Sequence, residues 1–444
     1  MRKLRKYILS VVILLLCVNI TAQEHTNDSI PNETLSIKLD SLLTHLPDST
    51  EKGYTQEEIS AINNILDLLS TGIDIKAEKN KKIEEEKNFK FSVLGGPGYS
   101  PDYGFTIGLA TLATFKTDKT DTTLPRSIIP LNVNLAFGKP MSVTILSKPL
   151  IYFKHDKIRL QGVFEFKHSN ENFYGVGYKQ NHNAKRSKDI TGYYADLVQI
   201  NPLLLFRIKK SPSYMGIAGD FFYENIKSPG TLLLNDPYYL MQGGTAEGLR
   251  DINVGLGITY SFDTRDVAAN AYKGVLFEAR ALYYSKYLGG EYDFGSITLD
   301  YRQYYKISKE HRRVLAWNIL AKTKIGDKVP FSQHAIIGGP FNLRGYYLGQ
   351  YRNKTAVTTE LEWRHMWDIA TDTKFKQLLH RLGYAAWVGC GFMGENIIRY
   401  DAVLPNLGGG LRVEVQKRMN FRVDAGYSFA DKHALFYFNM TEAF

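Results

Sequence analysis

Phe421-Arg422-Val423-Asp424-Ala425-Gly426-Tyr427-Ser428-Phe429 changes character at every residue. Successive side chains of a strand point to opposite sides, so Phe421, Val423, Ala425, Tyr427 and Phe429 share one face. Arg422, Asp424, Gly426 and Ser428 share the other. The same split recurs earlier: Val275, Phe277, Ala279, Ala281 and Tyr283 oppose Glu278, Arg280 and Lys286, and Ile297, Leu299 and Tyr301 oppose Asp300, Arg302 and Tyr304. A soluble sandwich also alternates, so length decides. Many of these segments run about 11 to 16 residues, beyond the five or six usual in soluble sheets and suited to tilted membrane strands.

Working outward, turn residues bound sixteen such segments, near 89–97, 103–115, 127–137, 141–154, 157–168, 191–208, 213–224, 247–262, 272–288, 292–307, 311–325, 353–365, 380–393, 403–418, 420–430 and 433–444. An even number lets an antiparallel barrel close with both ends on one side of the membrane. With the amino end placed in the periplasm, the connections that fall outside include 169–190, 225–246, 326–352 and 394–402, all long. Those inside include 209–212, 308–310 and 418–420, all short; two connections, 116–126 and 366–379, break the trend. The expectation is an all-β fold: a 16-stranded antiparallel transmembrane β-barrel over 89–444, preceded by a short helical periplasmic segment.

The beginning of the chain supports export. Arg2, Lys3, Arg5 and Lys6 precede an apolar run from Tyr7 to Ile20, and Thr21-Ala22-Gln23 offers a cleavage site, so 1–22 reads as a signal peptide. That run of about 14 residues is short of the roughly 20 that a spanning helix needs. Without the signal only Cys390 remains, which allows no intrachain disulfide. The four basic residues of the signal leave +6 of the net +10, with both signs interspersed. This is no nucleic-acid footprint. Residues 23–88 are polar and nearly free of aromatics. Leu35, Leu39, Leu42 and Leu43, then Ile59, Ile62, Leu66 and Leu69, recur at helical intervals, and Thr55-Gln56-Glu57-Glu58 opens the second run like a capping box. Two short helices and a Lys/Glu-rich linker over 76–90 are expected, with accessory subunits or client proteins as their partners.

Ile337-Gly338-Gly339-Pro340-Phe341-Asn342-Leu343-Arg344-Gly345-Tyr346 follows the eleventh segment. It resembles the sixth outer loop of the BamA/TamA family of outer-membrane insertases and translocases, a Gly-Gly pair followed by a hydrophobic-Arg-Gly-aromatic tetrad. Thr359-Glu360-Leu361-Glu362-Trp363-Arg364 is similar to the family's acid-bearing strand, and Ser261-Phe262-Asp263-Thr264-Arg265-Asp266 to its periplasmic turn after the eighth strand. The resemblance covers about 89–444. It implies that the loop folds back into the lumen and that Arg344, followed by Gly345 and Tyr346, forms a bidentate pair with Glu360. Trp387 stands where the family has an aspartate, which removes one anchor for Arg344 unless Glu362 takes its place. The charges of Asp263, Arg265 and Asp266 can tie their turn to itself. The last segment carries Ala434, Phe436, Phe438 and Met440 on one face and ends in Phe444, the aromatic-terminated strand that barrel-assembly factors recognise.

The resemblance further implies a weak seam between the first and last strands, with Lys90–Leu94 meeting Leu435–Asn439 and Val93 near Tyr437. Gly95, Gly96, Pro97 and Gly98 are expected to shorten the first strand's pairing. Family insertases carry periplasmic POTRA domains ahead of the barrel, and 24–88 is too short and strand-poor to be one. The expected function is therefore a non-enzymatic outer-membrane barrel that takes part in protein insertion or translocation. The alternative is a passive pore or scaffold that keeps the fold alone. No Gly-x-Ser-x-Gly elbow, His-Glu-x-x-His motif or phosphate-cradling loop argues for an enzyme, and no cofactor or metal is expected; His168, His182, His334 and His433 read as solvated loop residues.

Overall fold

The computed structural model describes residues 88–444 apart from 138–140, 269, 370–371 and 417. The expected signal peptide and the helices and linker of 23–87 lie outside the described residues. The strands are β1 (Lys90–Ser100), β2 (Gly104–Phe115), β3 (Ser127–Ala136), β4 (Ser142–Ser147), β5 (Leu150–Phe153), β6 (Ile158–Asn172), β7 (Gly192–Arg207), β8 (Ser213–Lys227), β9 (Leu249–Asp263) and β10 (Gly274–Tyr284). They continue as β11 (Phe294–Lys306), β12 (Arg313–Ile325), β13 (Ala335–Ile337), β14 (Tyr351–Asn353), β15 (Thr355–Met366), β16 (Leu382–Gly394), β17 (Tyr400–Gln416), β18 (Met419–Ser428) and β19 (His433–Met440).

All but β13 and β14 form one antiparallel sheet that closes on itself. β4 and β5 lie end to end between β3 and β6, broken where Pro149 removes a backbone donor, so together they make one stave. The barrel therefore has the sixteen staves expected. Several ends differ: β6 and β8 run on to Asn172 and Lys227, β17 begins at Tyr400, and β10 stops at Tyr284. Lys286, assigned above to that strand, lies in a 3-10 turn from Lys286 to Leu288 that Ser285 caps.

Alternation sorts side chains between lipid and lumen as the sequence suggests. Ile107, Leu109, Ile217, Ile258, Leu299 and Leu407 face outward and exposed, while Asn201, Asp220, Glu224, Asp251, Arg412 and Asp424 point inward and are buried. At the long-loop end, short helices at Thr231–Leu234 and Pro237–Met241 pack with Phe173, Tyr193 and Phe331 into an apolar cap. The second helix is started by Asp236, whose carboxylate accepts from the Tyr238 and Tyr239 amides.

The seam departs from expectation. β1 pairs with β2 without interruption from Lys90–Thr114 to Ser100–Gly104, so the Gly95–Gly98 run does not break that ladder. On its other side β1 meets β19 in a single registered pair, Tyr99 with Phe438. Lys90–Leu94 does not lie against Leu435–Asn439, and Val93 is not opposite Tyr437. The cause is at the far end of β19: the strand stops at Met440, Thr441 adopts a left-handed φ of 68°, and the following residues turn inward. Carried on, the antiparallel register would set Leu94 beside chain that has already left the wall.

Candidate functional site: the lumenal arginine clasp

The loop between β12 and β15 enters the barrel. β13 and β14 pair as a small ribbon, Ala335 with Asn353 and Ile337 with Tyr351, and carry the Gly338–Gly349 tip down into the lumen. Apolar contacts seat it: Ile337, Leu343, Tyr346 and Tyr351 pack with Ala356, Met393 and Leu404 of the wall. Gly345 has φ 107°, a conformation open mainly to glycine. Facing it, Gly426 of β18 admits the loop by lacking a side chain, since a Cβ there would stand 2.7 Å from the Gly345 amide nitrogen.

Arg344 is fully buried at this tip. Its Nη2 lies 3.1 Å from Glu360 Oε2 and 2.5 Å from Glu362 Oε2, and its Nη1 is 3.1 Å from Asp424 Oδ2. Its backbone amide donates to Glu360 Oε1 at 3.3 Å, and its carbonyl accepts from Asn406 Nδ2 at 2.6 Å. The expected bidentate pair with Glu360 is thus replaced by a guanidinium shared among three carboxylates. Burial alone would push this loop guanidinium down, but Glu360, Glu362 and Asp424 outweigh it and hold it above its usual value.

Trp387 supplies a face where the family has an acid: the guanidinium carbon of Arg344 sits 3.6 Å from the indole centroid. Such a contact contributes about 2 kcal/mol when desolvated. The missing carboxylate returns on another strand. Glu362 does take part, as the sequence allowed, and Asp424 of β18 completes the set. Asp424 stood on the wet face of the strand that opened the sequence reading, yet nothing in one sequence links β18 to a loop 80 residues earlier.

The clasp belongs to a larger network. Asp424 also binds Arg412 Nη1 at 2.6 Å and pairs with Arg422 Nη1, whose Nη2 donates to the Pro340 carbonyl at 2.8 Å. Glu362 accepts from Arg364 Nε at 2.6 Å, and Glu442 accepts from Arg412 Nε at 2.9 Å and from Asn420 Nδ2 at 2.7 Å. Four guanidiniums (Arg344, Arg364, Arg412, Arg422) thus meet four carboxylates (Glu360, Glu362, Asp424, Glu442), all buried. Charges so poorly solvated persist only when paired.

Two further contacts tie the loop to the seam side. Tyr437 of β19 accepts from the Gly345 amide at 3.0 Å and donates to the Tyr346 carbonyl at 3.0 Å, while Tyr346 donates to the Pro405 carbonyl at 2.7 Å. The aromatic residues expected along the last strand and at its end part company. Phe436 is exposed on that face, and Phe438 sits there against Tyr99. Phe444 instead turns into the barrel wall among Tyr272, Tyr304 and Val314, where its carbonyl accepts from Arg364 Nη2 at 3.1 Å. The inward turn at Thr441 explains the difference.

At the short-turn end Arg265 forks onto Asp263, with Nε–Oδ1 at 3.0 Å and Nη2–Oδ2 at 2.9 Å, as a self-tied turn requires. Asp266 does more than that. It accepts from the Tyr272 amide at 2.9 Å and pairs with Arg418 of the β17–β18 turn, whose guanidinium lies 3.6 Å from the Tyr272 centroid. Among the described residues no group of three or more His, Cys, Asp or Glu could hold a metal ion.

Residues 130–375 match the model of the Omp85 superfamily domain. No curated protein matches the sequence. Among solved structures, BamA from Haemophilus ducreyi lacking POTRA domains 1–3 superposes with a TM-score of 0.54 at 12% identity, over 80% of this chain and 70% of that one. CdiB from Escherichia coli superposes with a TM-score of 0.52 at 10% identity, over 80% of this chain and 63% of that one. Identities this low speak for the barrel alone. The family match spans more than half of the sequence, and the sixteen staves and infolded sixth loop agree with it: the chain belongs to the Omp85 superfamily.

Proposed function

We propose that this barrel resides in the outer membrane of a Gram-negative bacterium, with its amino-terminal segment in the periplasm, and takes part in inserting or translocating proteins there without enzymatic chemistry. One observation carries the reading: beyond Tyr99–Phe438 the β19 side of β1 has no registered strand partner. An unpaired strand edge is a template for another strand. A client strand can add to β1 from the membrane side while the clasp keeps the lumen filled. Asp263, Arg265 and Asp266 would brace the periplasmic rim. Phe436 and Phe438 would act in the barrel's own assembly, with Phe444 joining them before it folds inward. Residues 23–88 would receive clients or accessory subunits.

A passive pore fits less well, because the sixth loop occupies the lumen and Trp387 strengthens the hold on Arg344. The test is affinity purification from detergent-solubilised outer membranes with a tag after residue 22, followed by mass spectrometry. Unfolded barrel clients or assembly factors at stoichiometric level are expected. Recovery of the barrel alone, or with a single mature surface protein, would move the assignment to a pore or scaffold.

A further inference from the structure

Outside the lumen, the short-turn end of β12 and β15 carries a groove of about 480 Å³ lined by His311, Arg313, His365, Trp367, Asp368 and Ile369. Arg313 and His365 are directly paired across the two strands. Arg313 forms no ion pair or side-chain hydrogen bond with any described residue, and its Nε is buried without a partner. The one acid of the groove is already engaged: Asp368 accepts from the Arg312 amide at 2.9 Å and Arg312 Nε at 3.1 Å, and lies 3.3 Å from His311 Nδ1. Its charge is therefore not available to Arg313. His365 is fixed from the other side by stacking on Tyr384, ring centroids 5.1 Å apart.

The surroundings say which anion fits. Moving from this pair toward the middle of the barrel, the same outward face carries the cross-strand pairs Leu315–Trp363 and Trp317–Leu361. That is an apolar lane running directly away from a free cation. Trp367 and Tyr384, each partly exposed, flank the cationic end as interfacial aromatics do. A free inorganic anion would use the cation and leave the lane idle. A lipid with a phosphodiester headgroup and acyl chains uses both.

We propose that this groove binds one phospholipid of the periplasmic leaflet, its phosphate on Arg313 and His365 and its acyl chains along Leu315–Trp363 and Trp317–Leu361. Only the name of the leaflet rests on the orientation proposed above. A lipid held here fixes the height of the barrel in the membrane on the wall that bears the acid-bearing strand of the clasp.

Native mass spectrometry of the full chain in a non-phospholipid detergent tests this, with dioleoylphosphatidylglycerol and inorganic phosphate as separate probes and no client present. The wild-type barrel is expected to retain one lipid and no phosphate. Arg313→Gln is expected to lower lipid retention about tenfold, as befits loss of a charge-assisted hydrogen bond. Arg313→Lys should restore most of it, and His365→Gln should give a smaller drop that stands as a second, independent reading. Retention unchanged in both Arg313→Gln and His365→Gln would overturn the proposal. Phosphate binding as firmly as the lipid would reduce the groove to a simple anion site and overturn it equally.

Discussion

Arg344→Ala is expected to release the sixth loop and to cost about 3–5 kcal/mol of barrel stability, because in a poorly solvated lumen it leaves Glu360 with no cation and takes one cation away from each of Glu362 and Asp424. The substitution removes more than charge. Stacking on Trp387 and a guanidinium reaching three carboxylates both disappear. Arg344→Lys keeps the charge but offers a point donor in place of a planar fork, so it should recover about half of the loss. Urea titration of the refolded barrel, read as the shift to heat-resistant mobility on electrophoresis, measures the stability. Planar-bilayer recordings check the loop: the wild-type lumen should conduct in small, brief openings, and Arg344→Ala should conduct more and for longer. A variant as stable and as closed as the wild type would show that the loop is held by its apolar seat alone.

Asp424→Asn should be nearly as damaging, and more so than Glu360→Gln. Asp424 faces Arg344, Arg412 and Arg422 at once, whereas Glu360 pairs only with Arg344 among the arginines. The amide keeps the shape but cannot balance three buried cations, and a loss on the order of 3 kcal/mol is expected. In a double-mutant cycle, Arg344→Ala and Asp424→Asn should fall well short of additive, since each removes part of the same network. Additive losses would mean that Asp424 serves only Arg412 and Arg422. The ranking of Asp424 above Glu360 separates the observed clasp from the simpler Arg344–Glu360 pair that the sequence suggested.

Period-two alternation and strand length made the sixteen staves legible, because lipid and water sort side chains at every second residue. The loop arginine and the acids of β15 were equally open to reading, since the resemblance rests on their local spacing. Asp424 was hidden because its partners come together only when the barrel closes. Trp387 looked like a lost anchor because an acid was expected there, while an aromatic face can hold a guanidinium by other means. The seam was misplaced for a related reason. Setting Lys90–Leu94 against Leu435–Asn439 ignores the stagger of a closed barrel, and no alternation pattern announces that Thr441 turns the chain inward.

The central claim is that the β1–β19 seam is the working edge of this barrel. In a Cys390→Ser background, Tyr99→Cys with Phe438→Cys places two thiols at the one registered pair of that seam. The oxidised barrel in liposomes is then assayed for how fast it promotes folding of a urea-unfolded outer-membrane protein. The account predicts that cross-linking leaves the barrel folded, lowers the rate to that of empty liposomes, and that reductant restores it. A fully cross-linked barrel that works as fast as the reduced one would contradict it.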